Sequence, residues 1–557
     1  MENNWFQVVN SLSSLLELKL FHCNLNNFLI GTSIRYLNLS SLVTLYLDEN
    51  NFTSHLPNGF FNLTKDITSL DLALNNIYGE IPSRSIIDRI GQLPNFEYLD
   101  ISANMFGGLI PSTLGNLSSL YYLSIGSNNF SGKISNLHFS KLFSLDELDL
   151  SNSNFVIQFD LDWVPPFQLY QLSLRNTNQD TNKFSSLTES IACQLFLSNN
   201  SIAEDITNLS LNCTELYLHH NNFTGGLPNI SPMSYRVDFS YNSFSGSIPH
   251  SLKNLSELHY INLWSNRLSG EVLGHLSDWR QLEIMNLGEN EFSATIPINL
   301  SQKLEVVILR ANQLEGTIPT QLFNLPYLFH LDLAQNKLSG SIPECVYNLT
   351  HMVTFHAEEL RTIDLSANSL SGKVPLELFR LVQVQTLNLS HNNFVGTIPK
   401  TIGGMKNMES LDLSNNKFFG EIPHGMSLLT FLSYLNLSYN NFDGKIPVGT
   451  QLQSFNASSY IGNLKLCGSP LNNCSTEEEN PKNAENEDDE SLKESLYLGM
   501  GVGFAVGFWG ICGSLFLIRK WRHAYFRFIY GVGNRLYVTL KVIMYVEDPI
   551  LLWKSLI

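Results

Sequence analysis

The chain has 557 residues, of which only 15% are charged, and its formal net charge is −17. This acidic balance argues against nucleic acid as a partner, because nucleic-acid-binding surfaces are basic. The length alone is enough for three or four ordinary domains.

One internal repeat accounts for most of that length. The pattern LxxLxLxxNx(L/F)xGx(I/L)P recurs eighteen times, usually every 24 residues, and Leu328–Pro343 is a clean copy. This leucine spacing at a fixed period predicts a leucine-rich-repeat solenoid, an α/β repeat fold. We expect it to cover residues 1–450, as a curved right-handed superhelix with a parallel β-sheet on its concave face.

Within a repeat, the two leucines of LxL point into the core and their neighbours face outward. The following Asn points inward, where its amide can satisfy backbone groups of the adjacent coil. This ladder position falls at Cys23, Asn50, Asn75, Asn104, Asn128, Ser153, Thr177, Asn200, Asn221, Asn242, Asn266, Asn290, Asn312, Asn336, Asn368, Asn392, Asn416 and Asn440. At Cys23 we expect a buried thiol.

Ligand-binding candidates are aromatic, Arg and His residues at outward positions of the sheet, the residue types that dominate recognition hot spots. We name Arg175, Tyr217, His219, Tyr260, Trp264, Arg310 and His330. Four of them share the position after the second strand leucine. Trp264 ranks first, because an exposed Trp on a sheet is costly unless something covers it. The alternative is ordinary surface variation.

The chain is rich in N-x-S/T sequons, which indicates a secretory route, although an Asn- and Ser-rich repeat also creates them by composition. They lie at Asn38, Asn51, Asn62, Asn116, Asn129, Asn199, Asn208, Asn212, Asn222, Asn229, Asn254, Asn299, Asn348, Asn388, Asn436, Asn456 and Asn473. Asn388 and Asn436 lie between strand leucines, so their glycans would project from the sheet. We therefore predict that this C-terminal quarter is not a peptide groove.

The C-terminal part divides into four predicted segments. Residues 451–476 form a cap closed by a Cys467–Cys474 disulfide, and residues 477–495 form an acidic linker. Residues 496–518 (LYLGMGVGFAVGFWGICGSLFLI) are long and apolar enough to cross a bilayer. Arg519, Lys520 and Arg522 follow, which predicts a single-pass plasma-membrane protein with its repeats outside.

Two further features lie in these segments. Gly499, Gly503 and Gly507 recur every fourth residue, which favours close packing against the transmembrane helix of a partner. In the cytoplasmic tail, residues 519–557, Tyr537 begins a YxxΦ-type sorting pattern, and Leu551 and Leu552 end an acidic dileucine pattern. The pairing of Cys23, Cys193, Cys213 and Cys345 stays open.

The segments RTIDLSANSLSGKVP, ESLDLSNNKFFGEIP, GTQLQSFNASSYIGNLKLCGSPL and WRHAYFRF resemble plant leucine-rich-repeat receptor-like proteins. The resemblance covers residues 360–525 and is strongest to the branch of the ethylene-inducing-xylanase receptors. It implies an extracellular ligand, no kinase domain, and signalling through an adaptor receptor-like kinase and a co-receptor kinase. No signal peptide or N-terminal cap precedes Leu15, so the expected product is N-terminally truncated. The island near residues 344–360 is expected to be shortened.

Three functions remain. The first is a defence receptor that recognises a pathogen- or plant-derived peptide, protein or glycan. The alternatives are a truncated decoy or non-functional fragment, and a secreted-type inhibitor of cell-wall-degrading enzymes. An enzyme is rejected, because a kinase needs roughly 250 residues with a GxGxxG loop and an HRD segment, and only residues 519–557 follow the predicted span. We expect no catalytic residue, no metal site and no cofactor.

Overall fold

The structure is a computed structural model. It describes residues 9, 11–25, 41–53, 55, 66–80, 93, 95–158, 163–179, 191–271, 279–354 and 360–474. The chain divides into two units: Met1–Phe355 with Arg361–Leu466, and His356–Leu360 with Cys467–Ile557. The first unit contains the repeats.

The first unit is built on one parallel sheet of eighteen strands, in which each strand pairs with the strand of the next repeat. This confirms the predicted leucine-rich-repeat solenoid with a parallel sheet. In chain order the strands are β1 Glu17–Lys19, β2 Thr44–Tyr46, β3 Ser69–Asp71, β4 Tyr98–Asp100, β5 Tyr122–Ser124, β6 Glu147–Asp149, β7 Leu169–Ser173, β8 Ile191–Phe196, β9 Glu215–Tyr217, β10 Arg236–Asp238, β11 Tyr260–Asn262, β12 Ile284–Asn286, β13 Val306–Ile308, β14 His330–Asp332, β15 Thr362–Asp364, β16 Thr386–Asn388, β17 Ser410–Asp412 and β18 Tyr434–Asn436.

The strands are short because each coil turns immediately after them. The two leucines of LxL are buried: the first is the middle residue of the strand, and the second follows the strand. In the β14 coil these are Leu331 and Leu333, both 0% exposed. The chain then passes through a left-handed residue, for example Gln335 with φ 53°, and reaches the ladder Asn. This repeated turn brings the next residues back towards the core.

The ladder Asn links neighbouring coils as predicted. Asn312 Nδ2 donates to Leu287 O of the preceding coil at 3.0 Å and to Leu309 O of its own coil at 3.1 Å. Its Oδ1 accepts the Phe292 N–H at 3.0 Å. Each amide therefore satisfies buried backbone groups on two coils, which a folded chain requires.

On the other side of the coils lie short strands and single-turn helices. The strands are Tyr78–Glu80, Met105–Leu109, Asn129–Ser131, Lys133–Ile134, Ser153–Ile157, Thr177–Gln179, Ser210–Leu211, Thr224–Gly225, Asn229–Ile230, Ser243–Gly246, Arg267–Glu271, Glu291–Thr295, Gln313–Thr317, Lys337–Gly340, Ser369–Lys373, Asn393–Gly396, Lys417–Glu421, Asn441–Lys445 and Lys465–Cys467. The helices are Ser112–Asn116, Asn136–Phe139, His250–Lys253, Thr320–Asn324, Glu344–Asn348, Thr350–Met352, Leu378–Arg380, Lys400–Gly404, His424–Leu428, Thr450–Ser454 and Ala457–Ser459.

The Gly-x-(Ile/Leu)-Pro tail explains where many of these helices begin. In the coil of β16, Ile398 is buried and Pro399 precedes the helix Lys400–Gly404 in an extended conformation. Proline suits this place because its missing N–H is not needed at the start of a helix. Phenylalanines stack through the interior between coils, as Phe418 does with Phe442 at a centroid distance of 6.2 Å.

The cysteines behave differently from one another. Cys467 and Cys474 of the second unit are bonded, with Cα atoms 5.0 Å apart. The expectation of a buried thiol at Cys23 is wrong, because Cys23 is exposed. Its coil carries β1, which pairs with β2 on one side and has no described strand on the other. Cys213 is buried, and the side chain of Cys193 lies outside what the structure describes.

Candidate functional site

The register of the sheet aligns the outward residues of successive coils. After a register shift between Leu169 and Gln171 at the start of β7, strands β7 to β14 pair residue for residue. Tyr217 pairs with Asp238, for example, and Asp238 with Asn262. Two residues further on in each coil, Arg175, Ser198, His219, Ser240, Trp264, Gly288, Arg310 and Ala334 follow one another across the face. We call the outer face of β7–β14 the central face.

At the start of the central face, a cation lies on an aromatic stack. The Arg175 guanidinium is 4.3 Å from the centroid of the Phe196 ring, and Phe196 stacks on Tyr217 at 5.0 Å. Tyr217 is buried, and burial raises its pKa to about 12. Among the described residues, no carboxylate lies within ion-pair distance of Arg175. Its charge is therefore held in place by a ring and remains available to an anion.

Asp238 is the polar centre of the face. Its carboxylate accepts hydrogen bonds from the Tyr260 hydroxyl at 3.0 Å, Asn262 Nδ2 at 3.0 Å and the Ser240 hydroxyl at 2.6 Å. Nδ1 of His219 is 3.8 Å away. Burial lowers the pKa of His219, and Asp238 opposes that shift. Tyr260 is only 4% exposed, so it points outward but is covered by its neighbours.

Trp264 is half-buried and lies across the next coil. A Cβ on Gly288 would come within 2.7 Å of the Trp264 ring and within 3.3 Å of Arg310 Cγ, so the missing side chain of Gly288 makes room for the indole. Arg310 is ion-paired to Asp332, with Nη1 3.0 Å from the carboxylate. The indole therefore covers Gly288 and gives this part of the face a flat apolar surface.

His330 is the seventh predicted residue, and it is buried beside this ion pair. Burial, and to a lesser extent Arg310, lowers its pKa to about 4. Burial raises the pKa of Asp332 to about 6. The structure thus brings the seven candidates onto one face. Arg175, His219, Trp264 and Arg310 are partly exposed there, whereas Tyr217, Tyr260 and His330 are buried.

Sequence reasoning missed a second surface, on β2–β5. Tyr98 stacks on Tyr122 at 4.3 Å, and Tyr46 and Tyr121 lie 5.8 Å and 6.2 Å from Tyr98. Two of these rings donate to carboxylates: the Tyr98 hydroxyl to Asp71 and the Tyr122 hydroxyl to Asp100. We call the four tyrosines and two aspartates the acidic tyrosine face. The signal in the sequence was the recurrence of Tyr and Asp on either side of the first strand leucine.

The sequons sit mostly on accessible chain. The exposed ones are Asn51, Asn116, Asn129, Asn199, Asn208, Asn212, Asn222, Asn229, Asn254, Asn299, Asn456 and Asn473. Asn348, Asn388 and Asn436 are half-buried, and Asn38 and Asn62 lie outside the described residues. In the two sheet sequons the amide already has partners: Asn388 Nδ2 donates to Asp364 at 3.2 Å, and Asn436 Nδ2 donates to Asp412 at 3.3 Å.

Several predictions fall on residues that the structure does not describe. The span 496–518 with its three glycines, the acidic linker, and the tail with Tyr537, Leu551 and Leu552 all lie outside the described ranges. Among the helices that are described, none has the length and apolar character needed to cross a bilayer. Within the same ranges, no group of three or more His, Cys, Asp or Glu residues is placed to hold a metal ion.

Comparison with known families detects the same repeats. The leucine-rich-repeat family matches residues 383–442 in one model, and residues 41–63, 95–117, 212–232, 235–255, 327–349 and 359–381 in another. Receptor-like protein EIX2 of Solanum lycopersicum is 41% identical over 98 residues, which are 16% of this chain and 10% of that protein. The matched segment thus spans about a tenth of its length.

Solved structures agree with the fold. The ectodomain of the Arabidopsis thaliana receptor kinase GASSHO1/SCHENGEN3, in complex with CASPARIAN STRIP INTEGRITY FACTOR 2, gives a TM-score of 0.72 at 32% identity, over 84% of this chain and 55% of that one. The Arabidopsis receptor kinase HAESA, in complex with the peptide hormone IDA and the co-receptor SERK1, gives 0.66 at 28% identity, over 84% of each chain. The repeats, and the segments that are 41% and 39% identical to the tomato receptor-like proteins EIX2 and EIX1, make this chain similar to plant leucine-rich-repeat receptor-like proteins.

Proposed function

We propose that the chain is a non-enzymatic plant cell-surface receptor-like protein that recognises an extracellular ligand with the central face of its sheet. One observation carries this proposal: Arg175 and Trp264 lie on the same row of the sheet. Within the described structure Arg175 has no carboxylate partner, and Trp264 is half-buried. Arg and Trp in fixed positions are the residues that contribute most binding energy in protein interfaces.

Two positions on the central face, Arg175 and Trp264, favour different groups of a ligand. Arg175 presents guanidinium donors beside an aromatic stack, which suits a carboxylate, sulfate or phosphate. Trp264 offers a flat apolar surface, which suits an aliphatic or aromatic side chain. Arg310 is less available because Asp332 already neutralises it at 3.0 Å. The preferred ligand therefore carries an anionic group and an apolar group several coils apart.

Signalling would depend on other chains. One solved relative is a receptor kinase in complex with a peptide hormone and a co-receptor, and another is in complex with CASPARIAN STRIP INTEGRITY FACTOR 2. By analogy, this chain pairs with an adaptor receptor-like kinase through the predicted span 496–518 and with a co-receptor kinase outside the cell, in a defence response at the plasma membrane. Gly499, Gly503 and Gly507 are the residues proposed to pack against the adaptor.

The test uses the full chain in leaf cells exposed to extracellular fluid from healthy or fungus-infected leaves, with calcium influx as the readout. Trp264→Ala should raise the amount of fluid needed for a half-maximal response at least tenfold, because it removes a central anchor. Gly288→Ala should act in the same direction, since its methyl group displaces the indole without removing it.

Two matched variants control for indirect effects. Ala334→Gly removes one methyl group at the same row position two coils away, and Lys337→Ala removes an exposed side chain from the strand Lys337–Gly340. Both should respond like the parent. A response that is unchanged in Trp264→Ala and in Arg175→Ala would refute recognition by the central face. Binding without any response would favour the decoy.

A further inference from the structure

The acidic tyrosine face has an excess of negative charge that the described sheet does not neutralise. Besides Glu147, which has an interaction of its own, six carboxylates stand at outward positions of β2–β6 and their flanking residues: Asp48, Asp71, Glu97, Asp100, Asp146 and Asp149. No Lys or Arg occupies an outward position of these five coils. Like charges in adjacent strands repel one another, and burial makes that repulsion stronger.

Hydroxyl groups take the place of cations here. Tyr98 donates to Asp71 Oδ2 at 3.4 Å, and Tyr122 donates to Asp100 Oδ2 at 3.2 Å. Burial, reinforced by Asp100, raises the pKa of Asp71 to about 7. A neutral hydroxyl stabilises a carboxylate less than an ammonium or guanidinium group does. The face is therefore incompletely neutralised, and an added cation would relieve it.

The chain itself shows how a cation sits at the border of this face. Lys19 Nζ of β1 lies 5.3 Å from the centroid of the Tyr46 ring, and it is 3.3 Å from the Glu17 carboxylate. The Lys19 ammonium group thus contacts both an aromatic ring and a carboxylate. The same combination recurs two and three coils further on at Tyr98, Tyr122 and Asp100, where no described cation fills it.

We propose that the acidic tyrosine face docks an extended segment of a partner protein that carries Lys or Arg side chains. The ammonium or guanidinium groups bind against the tyrosine rings and the Asp71 and Asp100 carboxylates. This goes beyond the proposed function, because the central face prefers an anionic group and lies on other coils. Its failure would leave recognition by Arg175 and Trp264 intact.

The experiment measures binding of a fluorescent ten-residue peptide of alternating Gly and Lys to the full chain in detergent. The decisive variant is Asp71→Asn combined with Asp100→Asn. Asn is tolerated at this position, because Asn262 and Asn286 accept the N–H two residues ahead at 3.2 Å, as Asp71 does at 3.0 Å. We expect the dissociation constant to rise at least tenfold.

The matched control removes two exposed carboxylates on the opposite side of the coils, Glu291→Gln with Glu315→Gln. It removes the same number of carboxyl groups and should shift the dissociation constant less than twofold. Tyr121→Ala, which removes a ring that is 43% exposed, should weaken binding about threefold, as expected for one cation–π contact. The same peptide with acetylated lysines should not bind.

Three results would overturn the proposal. The first is an equal loss in both carboxylate pairs, which would mean attraction by net charge alone. The second is retention of binding by the acetylated peptide. The third is unchanged binding in Asp71→Asn with Asp100→Asn. Urea unfolding of each variant confirms that all of them are folded.

Discussion

Two rows of side chains run across the coils of the sheet, and they differ in how much the residue type changes from coil to coil. The inner row is the ladder, where Asn312 and its equivalents make the same bonds in coil after coil. The outer row changes from Asp and Tyr on β2–β6 to Arg, His and Trp on β7–β14. A fixed inner row keeps the coils in register, and this leaves the outer row free to acquire recognition chemistry.

Breaking the inner row should have the largest effect on stability. Asn312→Ala removes three donated bonds, to Leu287 O, Leu309 O and Arg310 O, and one accepted bond from Phe292 N–H. We expect a loss of about 3 kcal/mol in the free energy of unfolding, because buried backbone groups lose their partners. Urea titration measures it. Asn299→Ala, at an exposed site, is the control, and an equal loss there would contradict the prediction.

The outer row should control how stability depends on pH. The pKa of His330 is about 4 in the folded chain, below its usual 6.5, so the unfolded chain binds more protons between these values. Stability is then lost as pH falls from about 6.5 to about 4. Between pH 7 and pH 4.5, the parent should lose on the order of 2 kcal/mol more than His330→Gln.

The raised pKa of Asp332 acts in the opposite direction, and it is present in both proteins, so it cancels in the difference. Urea unfolding at several pH values provides the measurement. His391→Gln, at an exposed site, should keep the slope of the parent. Coincident slopes for the parent and His330→Gln would show that His330 does not carry the effect.

Placing Asn at a ladder position that lacks it should have the smallest effect on stability. The Ser153 hydroxyl donates only to Ser151 O of its own coil, at 3.2 Å, whereas Asn128 Nδ2 reaches Ile101 O of the preceding coil at 2.9 Å. Ser153→Asn should restore a link to the preceding coil and raise the free energy of unfolding by about 1 kcal/mol. The unfolding midpoint tests this against Ser153→Ala. A lower midpoint for Ser153→Asn would mean that the coil has no room for the amide.

The inner row was predictable from sequence, and the outer row only in part. Leucine and Asn spacing set the strand number and the ladder, because both depend on contacts repeated at one period. The burial of Tyr260 and His330 was not predictable, since it depends on the size of residues about 22–24 positions away in the chain. Cys23 occupies the ladder position that the repeat predicts, but it is exposed, because its coil has one described neighbour.

The distance between neighbouring strands determines how long a peptide must be to reach two given positions on the sheet. Neighbouring strands are about 4.8 Å apart, whereas an extended peptide advances about 3.3 Å per residue, so three peptide residues cover roughly two coils. Arg175 and Trp264 are four strands apart, or about 19 Å, a span of roughly six residues. A peptide that also reached Tyr98 on β4, seven strands from Trp264, would need roughly ten residues, with its basic end towards the first coils and its apolar end towards the later ones.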